Sequence, residues 1–219
     1  MMEIFSIDRF AMVIAMVSFP HQRDGHKYLR ASKIAVFIGI DAPAQIDYPL
    51  SALRRAGLIT AAGYDAYKRR IVFPLEGNLY GRSLSDSAPP HRFLPGAKGG
   101  LYSWAQAQSY PEVILVEGLF DYAVLWEAGF RNVTCSLGTN LNALQFRQLC
   151  DGTRTVYLAF DADGNGSGQQ AAQSLSRSLG ERGISARLVS LPEGQDPNSF
   201  FVNGGNAHEL HRLLEQACL

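Results

Sequence analysis

Cysteine is scarce. The 219 residues hold three, Cys135, Cys150 and Cys218, and no two stand at a metal-ligand spacing. So sparse and odd a set excludes a disulfide scaffold and suits a reducing compartment, so a cytoplasmic setting is expected. His21 and His26 have no cysteine near them, which excludes a zinc module at the start of the chain. Long apolar runs are missing as well. The stretch Phe10–Phe19 is ten residues long, too short to span a bilayer, and it lacks a small-residue cleavage site, so neither a membrane protein nor a secreted one is expected. There is no excess of charge: 20 basic and 20 acidic residues leave a net of zero, which argues against a uniformly basic nucleic-acid-binding surface. Repeats, low-complexity stretches and the glycine fingerprints of Walker and dinucleotide-binding loops are all absent.

What is present is an ordinary globular composition, 47% apolar and 18% charged, enough for one or two domains with a good core. The charge is unevenly placed. Residues 1–110 carry 13 basic and 8 acidic residues, a net of +5, and residues 111–219 carry 7 and 12, a net of −5. A basic part that holds phosphates beside an acidic part that holds cations gives such an asymmetry.

Val113–Asp121 reads Val-Ile-Leu-Val-Glu-Gly-Leu-Phe-Asp. The apolar run is too short for a helix and fits a strand buried on both faces. Glu117 stands at its end, Gly118 permits a sharp turn, and a helix follows over Phe120–Gly129 with Asp121 in its first turn. Val156–Asp163 repeats the pattern, an apolar strand ending in Asp161-Ala162-Asp163 before a glycine-rich turn, Gly164–Gly168. A third acid, Asp196, follows a strand at Ala186–Leu191. The order strand, helix, strand (Val133–Leu137), helix (Ala143–Cys150), strand (Thr155–Phe160), helix (Gln169–Arg182), strand implies parallel pairing through helical crossovers. Parallel strand ends converge, and clustered carboxylates are tolerated chiefly around a cation; an all-oxygen set favours Mg²⁺ or Mn²⁺. Asp161, Asp163 and Asn165 imitate the start of a calcium loop, but Ala172 stands where its glutamate belongs, which excludes an EF-hand.

Taken singly, these acids have plainer readings, a solvated loop residue for Glu117 and a helix-dipole partner for Asp121. Their order decides otherwise. Glu-Gly-x-x-Asp at 117–121, Ser-Leu-Gly-Thr at 136–139, Asp-x-Asp at 161–163 and Asp-Pro at 196–197 resemble the Toprim domain of bacterial DnaG-type primases, topoisomerases and some nucleases. Upstream, Tyr64–Pro74 and Gly81-Arg82-Ser83-Leu84, then Arg92-Phe93-Leu94 and Lys98–Tyr102, resemble the basic segment that precedes Toprim in DnaG-type primases and that topoisomerases lack. The resemblance covers roughly residues 48–205.

It implies an α/β fold, a parallel Toprim sheet flanked by helices and preceded by a smaller mixed α+β basic subdomain. The expected division is an N-terminal segment 1–62, a basic subdomain 63–111, the Toprim domain 112–192 and a tail 193–219 with a helix at His208–Cys218. A short helix over residues 50–62 and a hairpin of Arg70–Leu75 with Leu79–Leu84 fall within the first parts. The implied activity is metal-dependent synthesis of short RNA primers on single-stranded DNA from ribonucleoside triphosphates. The implied catalytic residues are Glu117, Asp161 and Asp163, with Asp121 and Asp196 completing the metal shell. Arg82, Arg92 and Lys98, with Arg70 as a fourth, are the implied phosphate contacts. Gly138 is expected to give close backbone access near the metal. Where the family often reads Asp-Pro-Asp, this chain has Asp196-Pro197-Asn198, one negative charge fewer. A replicative helicase or a zinc-domain protein is the expected partner. A Toprim nuclease and a non-catalytic nucleic-acid-binding accessory protein are the rival readings.

Overall fold

Short apolar strands alternating with amphipathic helices leave a chain one economical arrangement, a sheet with its crossovers on both faces. The computed structural model has it. The structure describes the side chains of residues 67, 70–73, 75, 78–83, 89–152, 154–162 and 166–218, and before residue 50 only the backbone of short strands. The helix expected over residues 50–62, and Asp163, lie outside the described residues. The chain divides into two units, Met1–Gly99 and Gly100–Leu219.

In the second unit the strands are β10 (Glu112–Val116), β11 (Val133–Cys135), β12 (Thr155–Leu158) and β13 (Ser185–Leu188), and the helices are α1 (Trp104–Ala107), α2 (Leu119–Glu127), α3 (Ala143–Cys150), α4 (Ser167–Gly180), α5 (Pro197–Val202) and α6 (Ala207–Glu215). The sheet runs β11-β10-β12-β13 and every pairing is parallel. Ile114 lies opposite Val133 on one side and Tyr157 on the other. Val113, Ile114, Leu115 and Val116 are each at most 1% exposed, which is why the run is continuous rather than alternating. Val113 and Leu115 join Leu149, Val156, Leu158, Leu179 and Ala186 in one core, and the pleat turns Ile114 and Val116 to the other face. Trp104 belongs to the same core, so the segment from Gly100 to α1 is part of this unit. Both sheet edges are covered: Tyr102 bridges antiparallel to Cys135, and Cys218 to Leu188, which removes bare pairing edges.

The first unit holds the described strands β1 (Ser6–Ile7), β2 (Phe10–Ala11), β3 (Val13–Ile14), β4 (Pro20–Arg23), β5 (His26–Arg30), β6 (Asp47–Pro49), β7 (Arg70–Leu75), β8 (Asn78–Ser83) and β9 (His91–Phe93). Of these, β3-β7-β8-β9 form an antiparallel sheet. The expected hairpin is β7–β8, with Leu75 opposite Asn78. One face is apolar, with Tyr67, Val72 and Leu79 buried together and Leu94 against them. Asn78 ties the loop after β9 to the hairpin: its side-chain oxygen accepts from the Leu94 N–H at 2.9 Å, and its amide donates to the Ala97 carbonyl at 2.8 Å.

Candidate active site

Glu117 is the first residue beyond β10, and it is bound on every side. Thr139 Oγ1 donates to Oε2 at 2.8 Å, and the Asp161 N–H donates to Oε1 at 3.3 Å. Its backbone carbonyl accepts from the Gly138 N–H at 2.9 Å and from Cys135 Sγ at 3.2 Å. Burial pushes the Cys135 thiol well above its ordinary pKa, so the sulfur keeps the proton that it donates. A carboxylate held on both oxygens and at its backbone has a fixed direction before any ligand arrives.

The loop after β11 supplies most of this frame. Leu137 sits at φ 60°, a left-handed conformation that costs a non-glycine residue about 1–2 kcal/mol. Its N–H donates to Cys135 Sγ at 3.3 Å, and Ser136 Oγ lies 2.7 Å from the Gly138 carbonyl oxygen. Gln145 is buried in α3; its amide donates to the Ser136 carbonyl at 2.9 Å, while its oxygen accepts from the Asn142 N–H at 2.9 Å. The strained turn is thus clamped from two directions.

Asp161 stands past the end of β12. Gly168, in the first turn of α4, lies directly against it. A Cβ on Gly168 would fall 2.5 Å from the Asp161 carbonyl oxygen and 2.8 Å from Glu117 Oε1. Only a residue without a side chain lets the helix come this close. The Gly164–Gly168 stretch, expected as a flexible turn, therefore ends in a helix whose glycine is a packing element. The neighbouring Ala162 N–H donates to the Gln195 carbonyl at 2.9 Å, which ties the Asp161 loop to the segment that carries Asp196.

Asp121 is buried at 6% exposure. Its Oδ2 accepts from the Gly118 N–H at 3.0 Å and its Oδ1 from the Asn198 N–H at 3.1 Å, so one carboxylate joins the first turns of α2 and α5. Burial raises its pKa to about 7, helped by the negative charges of Asp196 and Asp161 and opposed by the two N–H donors. Asp196 is the N-cap of α5, its Oδ1 accepting from the Ser199 N–H while Ser199 Oγ accepts from the Asp196 N–H at 2.9 Å. Among the described residues no three acidic or histidine side chains close on one point tightly enough to grip an ion alone. The mutual repulsion of Asp121, Asp161 and Asp196, with oxygen donors only, is nevertheless the electrostatic setting a hard divalent cation relieves.

Among the described residues of the other unit, the basic side chains do not share one face. Arg82 lies opposite His91 and Gly81 opposite Arg92, so the pleat sends Arg82 and Arg92 to opposite faces of the sheet. Arg82 shares its face with Tyr80, His91 and Phe93, and Lys98 Nζ lies 5.2 Å from the Phe93 ring centroid on that side. The Arg92 guanidinium lies 5.8 Å from the centre of the Tyr67 ring. Arg70 is buried and its Nη1 donates to the Gly81 carbonyl at 3.2 Å, a bond across the β7–β8 hairpin. Nothing in the sequence pattern marks Cys135, Gln145 or Gly168 as supports of the site. The motif Ser-Leu-Gly-Thr was the signal for Thr139.

Four parallel strands, acids at the ends of the middle two and a third acid capping the next helix define a Toprim domain, and a Toprim-like family model matches residues 114–201. The relatives narrow this further. The DNA primase of Aquifex aeolicus is 34% identical over 169 residues, 70% of this chain and 33% of that protein. The DNA primase of Clostridium acetobutylicum is 32% identical, over 75% of this chain and 30% of that protein. The crystal structure of the Aquifex aeolicus primase, comprising zinc-binding and RNA polymerase domains, superposes with a TM-score of 0.66 at 30% identity, over 78% of this chain and 46% of that one. The chain belongs to the family of DnaG-type primases and spans about a third of the length of the curated relatives it matches.

Proposed function

We propose that this chain is the catalytic part of a primase, which joins ribonucleotides into short RNA primers on a single-stranded DNA template. The observation that carries this is Glu117, held rigidly at the end of the central parallel strand by Thr139 and by the backbone of Asp161, in a chain whose relatives are DNA primases. Glu117, Asp161 and Asp163 would hold Mg²⁺ or Mn²⁺, with Asp121 and Asp196 completing the surroundings. A divalent ion bound there supplies activation of the primer 3′-hydroxyl and neutralisation of the triphosphate. The chain's own part is positional. Glu117 presents one carboxylate in a fixed direction, Gly168 keeps α4 close to Asp161, and Asp121 joins two helix starts beneath the acids. Arg82 and Lys98 contact phosphate from one face of the antiparallel sheet, and Arg92, on the opposite face, contacts a different phosphate. A zinc-domain protein or a replicative helicase adds template affinity, because a chain of zero net charge gains little from long-range attraction.

The experiment is incubation with single-stranded DNA, labelled ribonucleotides and Mg²⁺ or Mn²⁺. Primers are the expected product, and Glu117→Gln abolishes them. Cleaved strands would point to a nuclease, and binding without product to an accessory protein.

A further inference from the structure

Tyr80, His91 and Arg82 form a row on one face of the antiparallel sheet. Tyr80 Oη lies 2.8 Å from His91 Nδ1, and Arg82 Nη1 lies 3.0 Å from His91 Nε2. Arginine has donors only, so Nε2 must be the acceptor. The imidazole is then neutral, with its proton on Nδ1 and donated to the Tyr80 oxygen. The cross-strand register puts the two side chains within reach of each other, since Arg82 and His91 are direct partners of β8 and β9. His91 is exposed at the sheet surface, its ring centroid 5.8 Å from that of Tyr80.

We propose that His91 is a positioning residue for Arg82 and that it takes up a proton when a phosphate group binds at that arginine. The proposal rests on the reading of Arg82 as a phosphate contact. In the free protein the neutral imidazole steers the guanidinium by occupying Nη1, leaving its other N–H groups to face a ligand.

Among the described residues, the charged groups that bear on the ring are all positive: Arg82 from β8, Lys98 from the loop after β9 and Arg70 from β7. Together with partial loss of water around the ring, they hold His91 below its ordinary pKa, loss of water first and Arg82 next. A phosphate at Arg82 cancels part of that field and offers an acceptor for an imidazolium N–H. Protonation in turn ends the acceptor role of Nε2 and frees Arg82 Nη1 for the same phosphate. Anion binding and proton uptake therefore favour each other, and linkage makes the coupling reciprocal.

The test uses the full chain and a fluorescent oligo-dT probe, with affinity measured from about pH 8 down to about pH 5. His91→Gln keeps a neutral acceptor for Arg82 and cannot take up the proton. The wild type is expected to gain about fivefold or more in affinity over the variant as pH falls through the histidine range. Calorimetry in buffers of different ionisation enthalpy is expected to show proton uptake by the wild type only. Circular dichroism of His91→Gln checks that the fold is kept. Parallel pH profiles for wild type and His91→Gln, with equal proton uptake, overturn the proposal. An Arg82→Ala variant that binds the probe as tightly as the wild type overturns the phosphate reading itself. An Arg82→Ala loss with parallel His91→Gln profiles overturns only the role of His91.

Discussion

Gly168→Ala adds one methyl group to a helix and is expected to damage the protein twice. Propensity favours the change, since alanine beats glycine by about 0.8–1 kcal/mol in a helix interior. The space forbids it. The new Cβ would stand 2.5 Å from the Asp161 carbonyl oxygen and 3.2 Å from its nitrogen, where ordinary contact begins at 3.4 Å. Both are backbone atoms and cannot swing aside, so α4 must retreat or Asp161 must move. Overpacking of this kind costs about 1–3 kcal/mol, which exceeds a propensity gain already reduced at the second residue of the helix. A net loss of about 1–2 kcal/mol lowers the melting temperature by about 2–8 °C in a chain of this size. The shift also displaces the acids, and misplacement by about 1 Å costs on the order of 100-fold in rate. Gly180, the last residue of the same helix, is the internal control: no atom lies within 4 Å of its Cβ position, so Gly180→Ala is expected to raise stability by about 0.4–1 kcal/mol. Scanning calorimetry, Mg²⁺ titration and a priming assay on the two variants make the comparison. A Gly168→Ala protein that melts at or above the wild type and binds Mg²⁺ unchanged refutes the close-approach reasoning.

Other perturbations separate the remaining parts. Thr139→Val keeps the shape and removes the donor to Glu117 Oε2; a hydrogen bond to a charged group is worth about 1.5–3 kcal/mol, so the melting temperature is expected to fall by about 3–12 °C and priming to slow as Glu117 loses its fixed direction. Asp161→Ala is expected to weaken Mg²⁺ or Mn²⁺ binding sharply in calorimetry, and unchanged binding would remove Asp161 from the metal shell. Asp121 has a folded pKa of about 7, raised from 3.8, so its contribution to stability is fully present below the unfolded value and is lost as pH rises through about 7; in chelator, denaturant titrations should show stability declining over that window by up to about 4 kcal/mol, and Asp121→Asn should flatten the slope. Arg82→Ala is expected to weaken oligonucleotide binding and reduce the salt slope by about one phosphate contact.

The four strands of the second unit and its helices α2, α3, α4 and α6 were legible because each carries a pattern the backbone period reads directly. Val113–Val116 is an unbroken apolar run, and Ala143–Cys150 was bounded correctly by its amphipathic spacing. What escaped was short or doubly signalled. Three residues, His91–Phe93, hold no periodicity, so β9 gave no pattern to find. Asp196-Pro197 is a helix start by its cap and its proline, but the same aspartate also fits a metal-shell acid, and that second signal hides α5 in the tail. The acids themselves were visible because chemistry demands them at strand ends. Their supports were not: the Thr139 bond to Glu117 and the approach of Gly168 to Asp161 depend on distances between loops, which no pattern along the chain encodes. The opposite facing of Arg82 and Arg92 follows at once from the register of β8 and β9, a pairing invisible without β9.

The sheet order has a consequence for how the chain emerges from the ribosome. β10 is synthesised first and ends up inside, so the middle of the sheet waits for both flanks: β11 arrives on one side, then β12 and β13 on the other. Asp121 waits longest. Its second donor is the N–H of Asn198, 77 residues downstream, and until that segment clears the exit tunnel the carboxyl has only Gly118 as a backbone partner among its described contacts. A nascent chain at that stage can already have its strands paired while the floor of its acidic site is still open, with Asp121 more easily reached by water and by protons. The start of α5 is thus what closes the site on Asp121, and a ribosome stalled before residue 198 carries a sheet without a finished centre.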